Sequence, residues 1–387
     1  MRIIIFTHPG FIGSQSMPRY AKLLSEGMRK RGHMVEVWTP QRFFHRIPFP
    51  KAWNKWLGYL DQFIVFPMKV RSQMKKCSPN TLFVFADQAL GPWVPLVHKR
   101  PHVVHCHDFL AQRSALGELR ENKVGYTGRL YQKMIRRGYR KAENFISISR
   151  KTQQDLHRFL SSSPKVSEVV YNGLNQDFKP QNMLKARRKL EEEFKLNLKE
   201  GYILHVGGNQ FYKNRNGVIE IYNTWRNKTK TELPLVMIGP QPSARLQKCR
   251  DQSPFSSSIH LLSAVSDEAL KLAYQGATVF LFPSLEEGFG WPIAEAMASG
   301  CPVITTNSAP MNEVGGESCR YIPRLNGDKK RWAEECEKVL EEVVSLTRKE
   351  REKLASSGVE NARRFEPEKA LSDIDSIYRK ILNNYQL

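Results

Sequence analysis

Apolar positions along this chain fall into two alternating kinds of run. Short stretches dominated by Val, Ile, Leu and Phe read as strands, most of them apolar enough to be buried on both faces. In the first half these are RIIIF (2–6), MVEVW (34–38), TLFVFA (81–86), HVVHC (102–106) and NFISIS (144–149). A second series follows: GYILHVG (201–207), LPLVMIG (233–239), SIHLLS (258–263), ATVFLFP (277–283) and CPVITT (301–306). Helical spacing lies between them. In PRYAKLLSEGMRKRG (18–32), Tyr20, Leu23, Leu24 and Met28 share a face and Gly32 supplies the stop. Strand–helix alternation of this kind predicts an α/β protein with parallel sheets. The expected architecture is two doubly wound, Rossmann-like domains facing across a cleft, each offering its strand C-terminal ends to a ligand.

The Asn172-Gly173 turn and the Pro180 region mark the boundary. We place an N-terminal domain at 1–175, a C-terminal domain at 176–365 and a closing helix within 366–387. That tail, EPEKALSDIDSIYRKIL, has an apolar face of Leu371, Ile374, Ile377, Tyr378 and Ile381. We read it as a helix that closes the last domain, with packing back on the N-terminal one as the alternative.

Composition narrows the class. With 387 residues, 41% hydrophobic and 25% charged, each domain can bury a core, which argues against wholesale disorder. No run reaches the ~18–20 apolar residues of a membrane-spanning helix. The start, MRIIIFTHPG, has neither the apolar core nor the cleavage site of a signal peptide and reads as a first strand. Six cysteines (Cys77, Cys106, Cys249, Cys301, Cys319, Cys336) show no metal-like spacing, which fits unpaired thiols in a reducing, cytoplasmic setting. Charge is uneven. Residues 1–180 hold 30 Lys+Arg against 11 Asp+Glu, whereas the rest hold 30 against 27. An anionic partner or surface is expected to meet the first half.

The densest chemistry lies in FPSLEEGFGWPIAEAMASGCPVITT (282–306). A strand ends at Pro283-Ser284, and a loop with Gly288 and Gly290 enters a helix whose first turn holds Pro292. A glycine loop at a helix start presents N–H groups and the positive dipole end, suited to phosphate or sugar oxygens. Glu287 on the loop and Glu295 about one turn into the helix can point into one crevice, where carboxylates accept from sugar hydroxyls. Acidic residues placed for the helix dipole are the competing reading, which we prefer for Glu286.

Glu287-x7-Glu295 within PSLEEGFGWPIAEAMASGCPVI resembles the signature of retaining GT-B glycosyltransferases of family 4, which includes mannosyl- and glucosyltransferases. HVGGNQFYKN (205–214), VVYNGLNQDFKP (169–180), HCHDF (105–109), ISISRKTQQDL (146–156) and GHMVEVW (32–38) extend the resemblance in order along the chain. It implies that Glu295 binds the nucleotide ribose and Glu287 the donor sugar. Backbone N–H groups near Gly288, Phe289 and Gly290 would hold donor oxygens, and Lys213 would neutralise the diphosphate. His107 would stand beside sugar and acceptor, with His105 competing for that role. Gly10 and Gly13 would form the first loop near the phosphates. One departure stands out: where the family has Arg, this chain has Gly208 followed by Asn209. Either Arg215 or Asn209 then takes over that phosphate or sugar contact. The resemblance further implies retention by front-face attack, no metal and no other cofactor. It also implies a UDP-, GDP- or ADP-sugar donor, with base and sugar chosen by loops such as GPQPSARL (239–246) and SAVSDEAL (263–270).

The basic half has its own pattern. Phe43, Phe44, Phe49, Trp53, Trp56, Tyr59 and Phe66 interleave with Lys and Arg over 43–76, and RLYQKMIRRGYRK (129–141) adds a second basic stretch with Arg136 and Arg137. Aromatics at a headgroup boundary beside cations suit an anionic membrane surface, or a glycan or lipid-linked acceptor. A peripheral position on the inner face of the membrane is one expectation, and solvated helix faces over core aromatics are the other. Two rival functions stay open. A nucleic-acid binder accounts for the charge but leaves the sugar-type motifs unexplained. A nucleotide-sugar binder without transfer, or an epimerase, shares the scaffold, since fold does not fix function.

Overall fold

Strand by strand, the alternation of side chains resolves into two sheets. The computed structural model describes residues 1–12, 16–46, 51–119, 121–174 and 176–385. It divides into two units, Met1–Gly173 with Pro367–Leu387, and Leu174–Glu366.

In the first unit the strands are β1 (Arg2–Phe6), β2 (Met34–Trp38), β3 (Thr81–Phe85), β4 (His102–Cys106), β5 (Asn144–Ser147) and β6 (Val166–Val169). They are parallel in the order β2-β1-β3-β4-β5-β6. Period-two alternation sends Ile4, Phe6, Phe83, Phe85 and Val104 to one layer, against Phe66, Trp93, Ile135 and Tyr139. It sends Ile3, Ile5, Leu82, Val84 and Val103 to the other layer. There they meet Tyr20, Leu24 and Met28 of the helix Ser16–Lys30 and Leu371, Ile374, Tyr378 and Ile381 of the helix Pro367–Asn384. Both faces being covered explains why β1 is apolar from Ile3 to Phe6. The C-terminal helix is thus part of this unit's core. Asp375 meets His33 at 2.7 Å and Glu368 meets Arg31 at 2.8 Å along its polar edge.

Residues 51–74 form one long helix, interrupted by a π-turn over Asp61–Val65. Pro67 lacks an N–H and its ring crowds the carbonyl four residues back, so the ladder widens and Phe66 N–H bonds to the Asp61 carbonyl instead. The Asp61 carboxylate is buried and accepts the backbone N–H groups of Phe43, Phe44 and His45 at 3.1, 2.8 and 3.0 Å. This bond set ties the preceding loop to the helix.

The second unit has β7 (Ile203–Val206), β8 (Leu235–Ile238), β9 (Ile259–Leu262), β10 (Val279–Phe282), β11 (Val303–Thr306) and β12 (Arg320–Ile322). Its parallel order is β12-β11-β10-β7-β8-β9. Tyr222, Trp225, Trp332 and Leu340 pack on Ile203, Leu235, Met237, Val279 and Leu281. The strands β6 and β12 have no counterpart in the apolar pattern. They are short edge strands whose exposed sides dilute it.

Candidate active site

In a doubly wound sheet, ligands gather where the strand order reverses, because loops from the two central strands leave in opposite directions there. In the second unit that place lies between β7 and β10, and the chain has put its charged groups on those two loops.

After β7 the chain runs through Gly207 and Gly208 into a short turn, Phe211–Lys213, then through left-handed Asn214 into the helix Arg215–Arg226. The loop passes close under the one leaving β8: a Cβ on Gly239 would strike the Gly207 carbonyl oxygen, so only glycine fits. Lys213 Nζ donates to both oxygens of Glu287, at 2.7 and 2.9 Å. It also lies 5.3 Å from the Phe282 ring centre and 5.5 Å from that of Tyr212. Two-pronged pairing and two ring faces hold one cation in place. The loops are stitched further by Leu285 N–H donating to the Tyr212 carbonyl at 2.7 Å. The Ser284 hydroxyl stands 2.7 Å from Glu287 and 2.8 Å from the Tyr212 carbonyl, and its single proton serves one at a time.

Glu286 faces elsewhere, toward Arg324 at 3.3 Å, so its environment is an ion pair as well as the nearby helix end. Gly290, at φ +101°, opens the helix Trp291–Ala298. Phe289 packs its ring edge-on against Phe365 at 5.3 Å and is buried, so that its backbone is what borders the loop. Glu295 accepts from the Tyr274 hydroxyl at 2.9 Å. Burial raises the Glu295 carboxyl to about 7, against the pull of that hydrogen bond and of the Lys213 charge.

At the position of the departure from the family pattern, Arg215 is buried and donates to Asn209 Oδ1 at 2.7 Å. Asn209 Nδ2 donates in turn to the Gln241 carbonyl at 2.7 Å. The two candidates therefore act on one another, with Asn209 on the surface and Arg215 behind it. Beneath the same loop, burial holds the His205 imidazole near pKa 3 and neutral, and its Nε2 has no partner among the described residues.

In the first unit the reversal lies between β1 and β3. Two side chains that sequence reasoning did not single out meet there. His8 Nε2 lies 2.8 Å from Asp87 Oδ2, and Asp87 Oδ1 accepts Ala89 N–H at 2.9 Å. Burial alone would raise the Asp87 carboxyl, but the His8 hydrogen bond and charge, with His107 beyond, bring it below its ordinary value. His107, just past β4, donates from Nε2 to the Ala86 carbonyl at 2.8 Å, and its burial lowers its pKa. His105 is wholly enclosed, between the Tyr20 hydroxyl at 2.7 Å and that of Tyr378 at 2.8 Å, and burial brings it to about 3. Of the two histidines, then, His105 ties β4 to the two helices of one layer and His107 stands at the strand end. Gly10 opens a short turn, Gly10–Ile12, while Gly13 lies outside the described residues.

The basic stretches form a surface. On the long helix, Trp56, Leu60, Ile64 and Met68 follow one another at four-residue steps and are exposed. Tyr126, Leu130 and Met134 do the same on the helix Tyr126–Tyr139. Tyr59 stacks on Tyr131 at 5.9 Å, which sets the two helices side by side. Arg137 is exposed and Arg136 half-buried, as are Tyr59 and Phe44, while Phe66 is core and Phe43 open to solvent. The side chains of Trp53 and Phe49 lie outside the described residues. Among the described residues, no helix is long and apolar enough to cross a membrane.

Two parallel sheets, each with polar groups gathered at its reversal, fit the GT-B glycosyltransferase class, and the comparisons agree. Residues 186–361 match the model for glycosyl transferases group 1, and residues 17–178 that for glycosyltransferase family 4. The chain belongs to the family-4 glycosyltransferases, as its Glu-x7-Glu segment led us to expect. It is 33% identical to the O-antigen chain mannosyltransferase B of Escherichia coli over 31% of this chain and 32% of that protein. It is 24% identical to the O-antigen chain mannosyltransferase RfbU of Salmonella typhimurium over 51% of each. The matched segments thus span about half or less of these relatives. In fold, it superposes on sucrose-phosphate synthase from Thermosynechococcus elongatus with a TM-score of 0.73 at 16% identity, covering 99% of this chain and 100% of that one. HepE of Anabaena, in complex with UDP and glucose, gives 0.68 at 17% identity, over 98% and 100%.

Proposed function

We propose that this protein moves a hexose from a nucleotide-diphosphate sugar to a glycan or lipid-linked acceptor in the synthesis of cell-surface polysaccharide or glycolipid. One observation carries the reading: Lys213 and Glu287 come from the two loops that bracket the strand reversal, and two hydrogen bonds hold them together there. The O-antigen mannosyltransferases among the relatives and the UDP and glucose in HepE support the choice of chemistry.

In this reading Glu295 accepts the ribose hydroxyls. Glu287 turns to the donor sugar, and Lys213 exchanges its carboxylate partner for the diphosphate. The N–H groups around Gly288, Phe289 and Gly290 face donor oxygens, with Asn209, braced by Arg215, beside them. The bond from the sugar's anomeric carbon to the phosphate oxygen breaks as the acceptor oxygen bonds to that carbon. On front-face attack the acceptor's proton passes to the departing phosphate, and the anomeric configuration is retained. Lys213 supplies the positive charge that a metal would otherwise bring.

A thermal-shift screen of UDP-, GDP- and ADP-sugars, followed by transfer to an added glycoside, tests the proposal. Stabilisation by one donor and a retained anomer by NMR are expected. Binding without transfer would instead identify a nucleotide-sugar binder, and an inverted anomer would remove the front-face step.

The paired helix faces carry the acceptor's setting. An apolar stripe beside Lys69, Arg71, Lys133 and Arg137, all exposed, suits peripheral docking on the inner face of an anionic membrane. Co-sedimentation with vesicles containing anionic lipid is expected, and equal binding to neutral vesicles would remove the electrostatic part.

A further inference from the structure

We propose that His8, oriented by Asp87, binds a hydroxyl of the acceptor sugar; this rests on the transferase reading above. The position comes first. His8 and Asp87 bridge the strand reversal of the first sheet, between β1 and β3, as Lys213 and Glu287 bridge that of the second. Partner accounting then selects the ligand. Asp87 is ionised, its pKa lying below the ordinary value, and a carboxylate only accepts. The proton of the 2.8 Å bond therefore sits on His8 Nε2, and in the tautomer we assign, Nδ1 carries the lone pair that meets the ligand.

His107 repeats the arrangement. Its Nε2–H is committed to the Ala86 carbonyl at 2.8 Å, which leaves Nδ1 as the acceptor nitrogen. Asp87 feels both imidazoles, and His8 presents its Nδ1 beside that anionic carboxylate. Such a site takes donors, meaning hydroxyl groups, and disfavours phosphate or carboxylate, which need N–H groups. His8 is the more reachable of the two, with 17% of its side chain exposed against 9% for Asp87. Asp87 acts as the positioning residue, fixing which nitrogen faces the ligand.

The test uses the full chain with 15N-labelled histidine. Long-range 1H–15N spectra should show His8 protonated on Nε2, with its Nδ1 resonance shifting on addition of methyl α-D-mannopyranoside and not of inorganic phosphate. His8→Phe and Asp87→Asn should each weaken glycoside binding about tenfold or more, and His8→Gln, which keeps an acceptor atom, should weaken it less. Stabilisation by UDP or GDP should be unchanged in all three, which also shows that they fold. A proton on His8 Nδ1, no glycoside binding by the wild type, or unchanged affinity in both His8→Phe and Asp87→Asn would overturn the assignment. Loss of nucleotide binding in the wild type, with the glycoside shift intact, would strike the donor reading and leave His8 standing.

Discussion

The two strand reversals invite comparison. Each is bridged by a base–acid pair from neighbouring loops, yet the pairs differ in what they keep in reserve. Lys213 and Glu287 satisfy one another through two short bonds, and a ligand must displace part of that pairing. His8 and Asp87 share a single bond, which orients an unused lone pair. The first arrangement suits a charged ligand that replaces a charged partner. The second suits a neutral one that adds to what is there. The wider charge follows the same division: the excess of Lys and Arg lies in residues 1–180, on helices that also expose Trp56, Ile64 and Met68. Nearly all of the net charge of +22 is therefore a property of the first half of the chain.

Removing one partner of the tighter pair should have the largest effect. Lys213→Ala and Glu287→Ala should each lower turnover by about 10²–10³-fold. Lys213→Ala should also cost about 3 kcal/mol in denaturant unfolding, since it leaves Glu287 buried without its cation. The Lys213→Met, Glu287→Gln double variant should regain most of that stability and none of the turnover. Full turnover in either single variant would sink the pairing as the donor site.

Next in size is the pH response of Glu295. A carboxyl raised to about 7 from 4.5 gives a contribution to stability that is complete below 4.5 and is lost as pH rises through 7. Glu295→Gln should therefore melt higher than wild type at pH 8.5, by about 2–3 kcal/mol of relative stability, and show no such gain below pH 4.5. Nucleotide affinity in the wild type should rise between pH 6 and 8, as the ionised carboxylate becomes available to the ribose, and a flat profile would argue against that contact. Arg215→Met should loosen Asn209 and weaken donor binding about tenfold, read by isothermal titration, with a smaller loss of turnover. The smallest effect on the fold is expected at the surface: Ile64→Glu with Met68→Glu should change unfolding by no more than about 0.5 kcal/mol while abolishing vesicle binding.

The apolar runs marked ten of the strands because parallel strands covered on both faces need unbroken hydrophobic sequence, as β1 and β10 show. The site's second-unit half was legible for a related reason. Glu287 and Glu295 are eight residues apart on one loop and the helix it enters, so local geometry alone places both at the end of β10. Lys213 could be matched only by its motif, since its meeting with Glu287 spans 74 residues. Glu286 shows the limit from the other side: its nearness to the helix start was readable, its partner Arg324, 38 residues on, was not.

By itself, the sequence determined that this chain builds parallel α/β units, where a few helices stop or start, as at Gly32 and Pro292, and which loop carries Glu286 and Glu287. Those features depend on spacing within a few turns of chain, where propensity and periodicity act. The tertiary structure decided which strands lie side by side at each reversal, that the C-terminal helix completes the first unit, and that His8 and Asp87, 79 residues apart, become neighbours. Strand order is set by packing many distant apolar faces at once, and no local pattern in the chain encodes it.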